Sequence, residues 1–145
     1  MRMEPDLADP KTKRVLIVDD DVSVLTLLEI LVHRDGFQIE TAESGDQALQ
    51  RLEGKPDAVV LDLVLPGSTD GFGILKLLAE KGGPVPPIIV VTGHSGSKAV
   101  DEVEKNPLVV ALIRKPIHQD LLLETLHKAL KTRRPPPPGP YVKKR

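Results

Sequence analysis

Apolar residues along the chain fall into two alternating rhythms. Short runs rich in Val, Ile and Leu predict buried strands at Arg14 to Val18, Phe37 to Thr41, Ala58 to Leu61, Ile88 to Thr92 and Val109 to Ile113. Between them the apolar spacing shifts to a helical period. Val22 to Arg34 carries Leu25, Leu28, Leu31 and Val32 on one stripe, and Gly36 suits the left-handed position after a helix end. A second helix opens at Ser44, which with Gln47 makes a capping-box pair ahead of Ala48, Leu49 and Leu52; Gly54 and Pro56 end it. Further helices are expected over Phe72 to Lys81, Ser97 to Lys105 and Gln119 to Lys131, the last with Leu122, Leu126, Ala129 and Leu130 on its buried face.

Strands that alternate with helices in this way predict an α/β fold, a (βα)5 chain with a doubly wound parallel sheet covered on both faces. Right-handed crossovers leave few topologies, and the flavodoxin-like order 2-1-3-4-5 is the expected one. In such sheets functional groups gather beyond the carboxyl ends of the strands, near the point where strand order reverses.

Composition trims this picture at the ends. The polar stretch before Lys13 and the final "KTRRPPPPGPYVKKR" are poorly suited to a packed core. The expected organisation is a flexible segment over 1–12, a folded body over 13–132 and a Pro-rich basic tail over 133–145, whose prolines favour a stiff polyproline II spacer. A net charge of −1 gives no general attraction to nucleic acid. The absence of cysteine excludes disulfides, thiolate metal sites and a cysteine nucleophile. With no membrane-length apolar run and no signal-peptide pattern, a cytoplasmic protein is expected.

Candidate chemistry sits at the strand ends. "VDDD" puts Asp19, Asp20 and Asp21 after the first strand, Asp62 follows the third, Thr92 ends the fourth, and Lys115 and Pro116 follow the fifth. Each has an ordinary explanation: aspartates cap helices, threonine is common in strands, and Lys-Pro is a usual strand exit. As a set on one rim they permit a narrower chemistry. Carboxylates without nitrogen or sulfur ligands suit a hard divalent cation such as Mg²⁺, which would relieve their mutual repulsion. A carboxylate beside that cation could attack a phosphoryl group, with Thr92 donating a hydrogen bond and Lys115 neutralising charge, to give an aspartyl phosphate.

The motifs "VDDD", "LDLVLPGSTDG", "VVTG" and "RKP", in this order, resemble the receiver domain of two-component response regulators over Arg14 to Lys131. The resemblance implies that Asp62 is the phosphoacceptor, taking a phosphoryl group from phosphohistidine on a sensor histidine kinase or histidine phosphotransfer protein. It also implies that Asp20 binds Mg²⁺ directly and Asp19 mostly through water, with Asp62 and the Val64 backbone carbonyl completing the protein ligands. Thr92 would move toward the phosphoryl group and Lys115 would pair with it, and the Lys115–Pro116 bond would be cis. Such a chain promotes its own phosphorylation and dephosphorylation and is not a turnover enzyme.

Three departures from the family pattern stand out. The loop "GSTDG" is one residue longer than usual, which should leave Asp62 in place; Leu112 replaces the usual aromatic; and Val64 and His94 occupy positions that tune phosphoryl lifetime. Val64 cannot hydrogen-bond a water through its side chain, which favours a long-lived phosphoryl group, while His94 pulls the other way. Output is expected from helix four, strand five and helix five, as contacts with a downstream protein or a homodimer, from a stand-alone receiver without direct DNA binding. Leu121, off the apolar stripe of helix five, would suit an exposed contact there. The alternatives are a phosphorylation-independent pseudo-receiver and a haloacid-dehalogenase-type phosphatase; the latter wants an aspartate where Val64 stands. The histidines His33, His94, His118 and His127 show no metal-ligand spacing and are expected on the surface or in loops.

Overall fold

The computed structural model describes residues 6–93 and 98–135, with backbone alone at Ala99. His94, the predicted helix start at Ser97 and the tail from Pro136 onward lie outside the described residues. Five strands, β1 (Arg14–Val18), β2 (Gln38–Ala42), β3 (Ala58–Asp62), β4 (Ile88–Thr92) and β5 (Val109–Arg114), form one parallel sheet in the order β2-β1-β3-β4-β5. Five helices connect them: α1 (Val22–Arg34), α2 (Gly45–Leu52), α3 (Gly71–Lys81), α4 (Lys98–Glu104) and α5 (Gln119–Leu130). This is the flavodoxin-like arrangement that the alternation of rhythms predicts.

Burial explains why some strand limits were legible and others shifted. Strands β3 and β4 are buried along their whole length and β1 nearly so, because helices cover both faces and neighbours pair on both sides. β2 and β5 are the edges and are largely half-buried or exposed, so their polar residues break the apolar run. Hence β2 runs one residue later than expected, from Gln38, and β3 includes Asp62 itself. Two apolar layers result. Beneath α1 and α5 lie Val15, Ile17, Leu25, Leu28, Val32, Phe37, Val60 and Leu122; beneath α2, α3 and α4 lie Leu16, Val18, Leu61, Leu63, Ile74 and Val100. Fully burying one such side chain contributes about 1.5–3 kcal/mol.

The helix starts follow the predicted caps. Asp21 accepts from the Ser23 and Val24 N–H groups at the start of α1, where the positive end of the helix dipole also favours it. Ser44 accepts from Gln47 N–H, and the Gln47 side chain reaches back to Glu43 N–H at 2.8 Å. Gly36 has a φ of 105°, and an added Cβ there would lie 3.0 Å from Pro10. Among the described residues no helix is long and apolar enough to cross a membrane.

Two expectations need correction at the base of the sheet, the end away from the aspartates. The boundary at residue 13 moves, because residues from Leu7 onward join the folded body. Ala8 pairs with Thr132 in a parallel bridge, Arg133 donates to the Leu7 carbonyl, and the 3-10 turn Pro10–Thr12 buries Pro10. His127, expected at the surface, is buried. Its Nε2 lies 3.0 Å from Asp35 Oδ2, its Nδ1 lies 2.7 Å from Thr132 Oγ1, and its ring packs 4.7 Å from that of Phe37. On α5, Leu123 and His127 are buried, while Ala129 and Leu130 are only half-buried.

Candidate functional site

The parallel register brings the strand ends to one rim. Asp62 closes β3 opposite Val91 of β4, and Thr92, one residue further, lies opposite Arg114 of β5. The Lys115 N–H then donates to the Thr92 carbonyl at 2.9 Å, and the Lys115–Pro116 peptide bond is cis. Asp19 follows β1 and is fixed by its N–H to the Ala42 carbonyl at 3.1 Å.

Lys115 spans the two buried carboxylates. Its Nζ lies 3.0 Å from Asp19 Oδ2 and 3.2 Å from Asp62 Oδ2. The other oxygens are held locally: Asp19 Oδ1 accepts from Asp21 N–H at 2.9 Å, and Asp62 Oδ1 from Val64 N–H at 3.3 Å. Asp20 is exposed, yet one carboxylate oxygen from each of Asp19, Asp20 and Asp62 falls within 4.8 Å of the others. One ammonium therefore serves two buried carboxylates, with a third beside them.

Electrostatics follow from that count. Burial pushes the Asp62 carboxyl above the ordinary carboxylate range; the Lys115 charge opposes this, Asp19 adds to it, and the hydrogen bonds from Val64 and Lys115 offset part of it. Burial pulls Lys115 down, but the hydrogen bond to Asp19 and the charges of Asp62 and Asp19 outweigh it and hold the ammonium above its usual value. The oxygen-only donor set fits a hard divalent cation of the Mg²⁺ type, which would supply the missing positive charge.

A hollow of about 280 Å³ opens beside the acceptor oxygens, lined by Asp62, Val64, Gly93 and Lys115. Val64 is 49% exposed and forms its wall. Thr92 is fully buried at its end of β4. Leu112 is half-buried and packs with the apolar layer under α2, α3 and α4. The long loop "GSTDG" leaves Asp62 at the strand end, as expected, and lies against the start of α2, with the Thr69 carbonyl next to Gly45. Spacing gave no hint of that contact, because the two residues lie on different connections.

Away from the rim, β5 and α5 enclose a second hollow of about 410 Å³, lined in part by Val110, Leu121 and Lys128. Val110 and Leu121 are both exposed, as expected for Leu121.

Comparison with known proteins agrees with this geometry. The family model for the response regulator receiver domain matches residues 15–127, and the chain belongs to that family. An NtrX-like response regulator of Rickettsia conorii (strain ATCC VR-613 / Malish 7) is 38% identical over 118 residues, 79% of this chain and 24% of that protein. The transcriptional regulatory protein ZraR of Escherichia coli (strain K12) is 34% identical over 116 residues, 80% of this chain and 26% of its own length. The chain thus spans about a quarter of the length of these two relatives. Among solved structures, a CheY-like response regulator receiver domain protein from Methanospirillum hungatei JF-1 superposes with a TM-score of 0.71 at 29% identity, covering 81% of this chain and 93% of that one. The family is one of two-component signalling proteins and not of conventional enzymes.

Proposed function

We propose that this receiver takes a phosphoryl group from phosphohistidine on a sensor histidine kinase or phosphotransfer protein onto Asp62. The observation that carries the reading is the pair of buried carboxylates, Asp19 and Asp62, sharing the single ammonium of Lys115 beside an open hollow. An Asp62 oxygen attacks phosphorus, the new P–O bond replaces the donor's P–N bond, and the donor imidazole leaves with the electron pair. Lys115 neutralises charge on the transferred group, and the Thr92 hydroxyl donates to one of its oxygens. Asp20, Asp19, Asp62 and the Val64 carbonyl would hold Mg²⁺, which when bound neutralises phosphoryl oxygens during transfer. The Val64 side chain offers no hydrogen bond to a hydrolytic water, which favours a long-lived phosphoryl group. Output runs through the α4, β5 and α5 face, as contacts with a downstream protein or a second copy of the chain, in a cytoplasmic setting. The exposed Val110 and Leu121 beside the second hollow support that surface.

Intact-mass measurement after incubation with acetyl phosphate and Mg²⁺ tests the assignment. A phosphoryl gain is expected, and Asp62→Ala should abolish it. Absence of any gain, with acetyl phosphate or with a kinase, would overturn the reading in favour of a phosphorylation-independent binding module.

A further inference from the structure

The carboxylates, the hydroxyl and the ammonium account for the chemistry at the rim, but not for how the connection after Asp62 keeps its shape. Two glycines touch that connection where a methyl group has no room. At Gly71, the first residue of α3, an added Cβ would lie 2.4 Å from the Asp62 carbonyl oxygen and 2.6 Å from Leu63 Cα. At Gly45, the first residue of α2, it would lie 1.9 Å from the Thr69 carbonyl oxygen and 2.7 Å from the carbonyl carbon. Neither glycine has a positive φ, so space and not backbone conformation is what each provides. In both cases the obstructing atoms are backbone, which cannot swing aside as a side chain can.

Together these contacts pin the connection at its root and near its far end. Gly71 N–H donates to the Leu63 carbonyl at 2.9 Å, directly behind the acceptor residue. Asp70 caps α3 through Gly73 N–H at 2.9 Å, and Thr69, the residue before Asp70, rests on Gly45. The segment so held carries Asp62, and Val64, whose N–H fixes Asp62 Oδ1. We infer that Gly45 and Gly71 are positioning residues for phosphoryl transfer: by letting the N-terminal ends of α2 and α3 lie flat on the connection, they set where Asp62 and the Val64 backbone stand. This rests on the proposed function of Asp62.

The test compares the full chain with Gly45→Ala, Gly71→Ala and Asp70→Ala, and with His127→Ala as a destabilised control remote from the rim. Mg²⁺ affinity, read by thermal unfolding at graded Mg²⁺, and the maximal rate of acetyl phosphate labelling are measured for each. Both glycine variants are expected to lose about tenfold or more in both readouts, as supporting partners of metal sites commonly do, and Asp70→Ala a smaller factor. The control is expected to unfold more easily yet keep both values. Folded glycine variants with wild-type Mg²⁺ affinity and labelling rate would overturn the inference, as would an equal loss in the control. Should both glycine variants fail to fold, Asp70→Ala decides it, since that change removes a cap and inserts nothing: unchanged readouts would overturn the inference. A wild-type chain that takes no label defeats the proposed function instead, and the Mg²⁺ readout still separates the two.

Discussion

The two ends of the sheet hold similar groups in opposite states of balance. At the base, one carboxylate (Asp35), one imidazole (His127) and one hydroxyl (Thr132) form a buried line in which each side chain has its partner. At the rim, two buried carboxylates compete for one ammonium while a third stands exposed beside them. A satisfied network holds elements together: the base ties α1, α5, the segment before β1 and the chain after α5 into one body. An unsatisfied one is poised for an added charge. The contrast places a stabilising network at one end and the proposed phosphoryl chemistry at the other.

The sharpest way to break that comparison is to unbalance the base. His127→Ala leaves Asp35 only the exposed Arg134 guanidinium, 4.0 Å away, and opens a cavity beside Phe37, so it should cost about 2–5 kcal/mol in urea unfolding, with little effect on acetyl phosphate labelling. At the rim, Lys115→Ala removes the shared cation and should destabilise the metal-free chain by about 1–3 kcal/mol, a loss that added Mg²⁺ partly restores. Asp62→Asn should act in the opposite direction. Because the folded chain holds the Asp62 carboxyl above its unfolded value, its protonated form favours folding at low pH, and that contribution is lost as pH rises through the folded pKa. Metal-free Asp62→Asn is therefore expected to be the more stable chain at neutral pH, with the gap closing on acidification in paired pH-dependent melts. The smallest effect concerns lifetime. Val64→Asn introduces a group able to hold a water beside the phosphoryl and should speed loss of label by about tenfold or less, about 1.4 kcal/mol in barrier at most, in a chase after donor removal.

Legibility in the sequence follows the same division. The rim could be read because its residues stand at the ends of β1, β3, β4 and β5, and a parallel sheet brings the ends of such adjacent strands together. α1 was legible because Leu25, Leu28, Leu31 and Val32 form one uninterrupted stripe, and all four are buried. The base was not legible, because His127 and Asp35 lie 92 residues apart and neither belongs to a motif. A signal was present nonetheless: His127 sits four residues after Leu123 and next to Leu126, on the face of α5 that the core covers. Leu7 to Thr12 looked poorly suited to a packed core by composition, yet Pro10 fills the space beside Gly36 and Ala8 completes a bridge. The seats at Gly45 and Gly71 depend on backbone crossings between separate connections, which no local pattern reports.

Mg²⁺-dependent unfolding tests the central contrast most directly. Thermal melts of the wild-type chain, Asp20→Asn and the double variant Asp19→Asn/Asp20→Asn would be recorded across a Mg²⁺ series. At a hundredfold excess over the dissociation constant, a site formed only in the folded state should add about 2.7 kcal/mol to the wild-type chain. This gain is expected to shrink in Asp20→Asn and to vanish in the double variant, whose metal-free form is no less stable than wild type. Equal stabilisation of all three chains by Mg²⁺, or none of the wild type, would contradict the contrast between a balanced base and a rim poised for a cation.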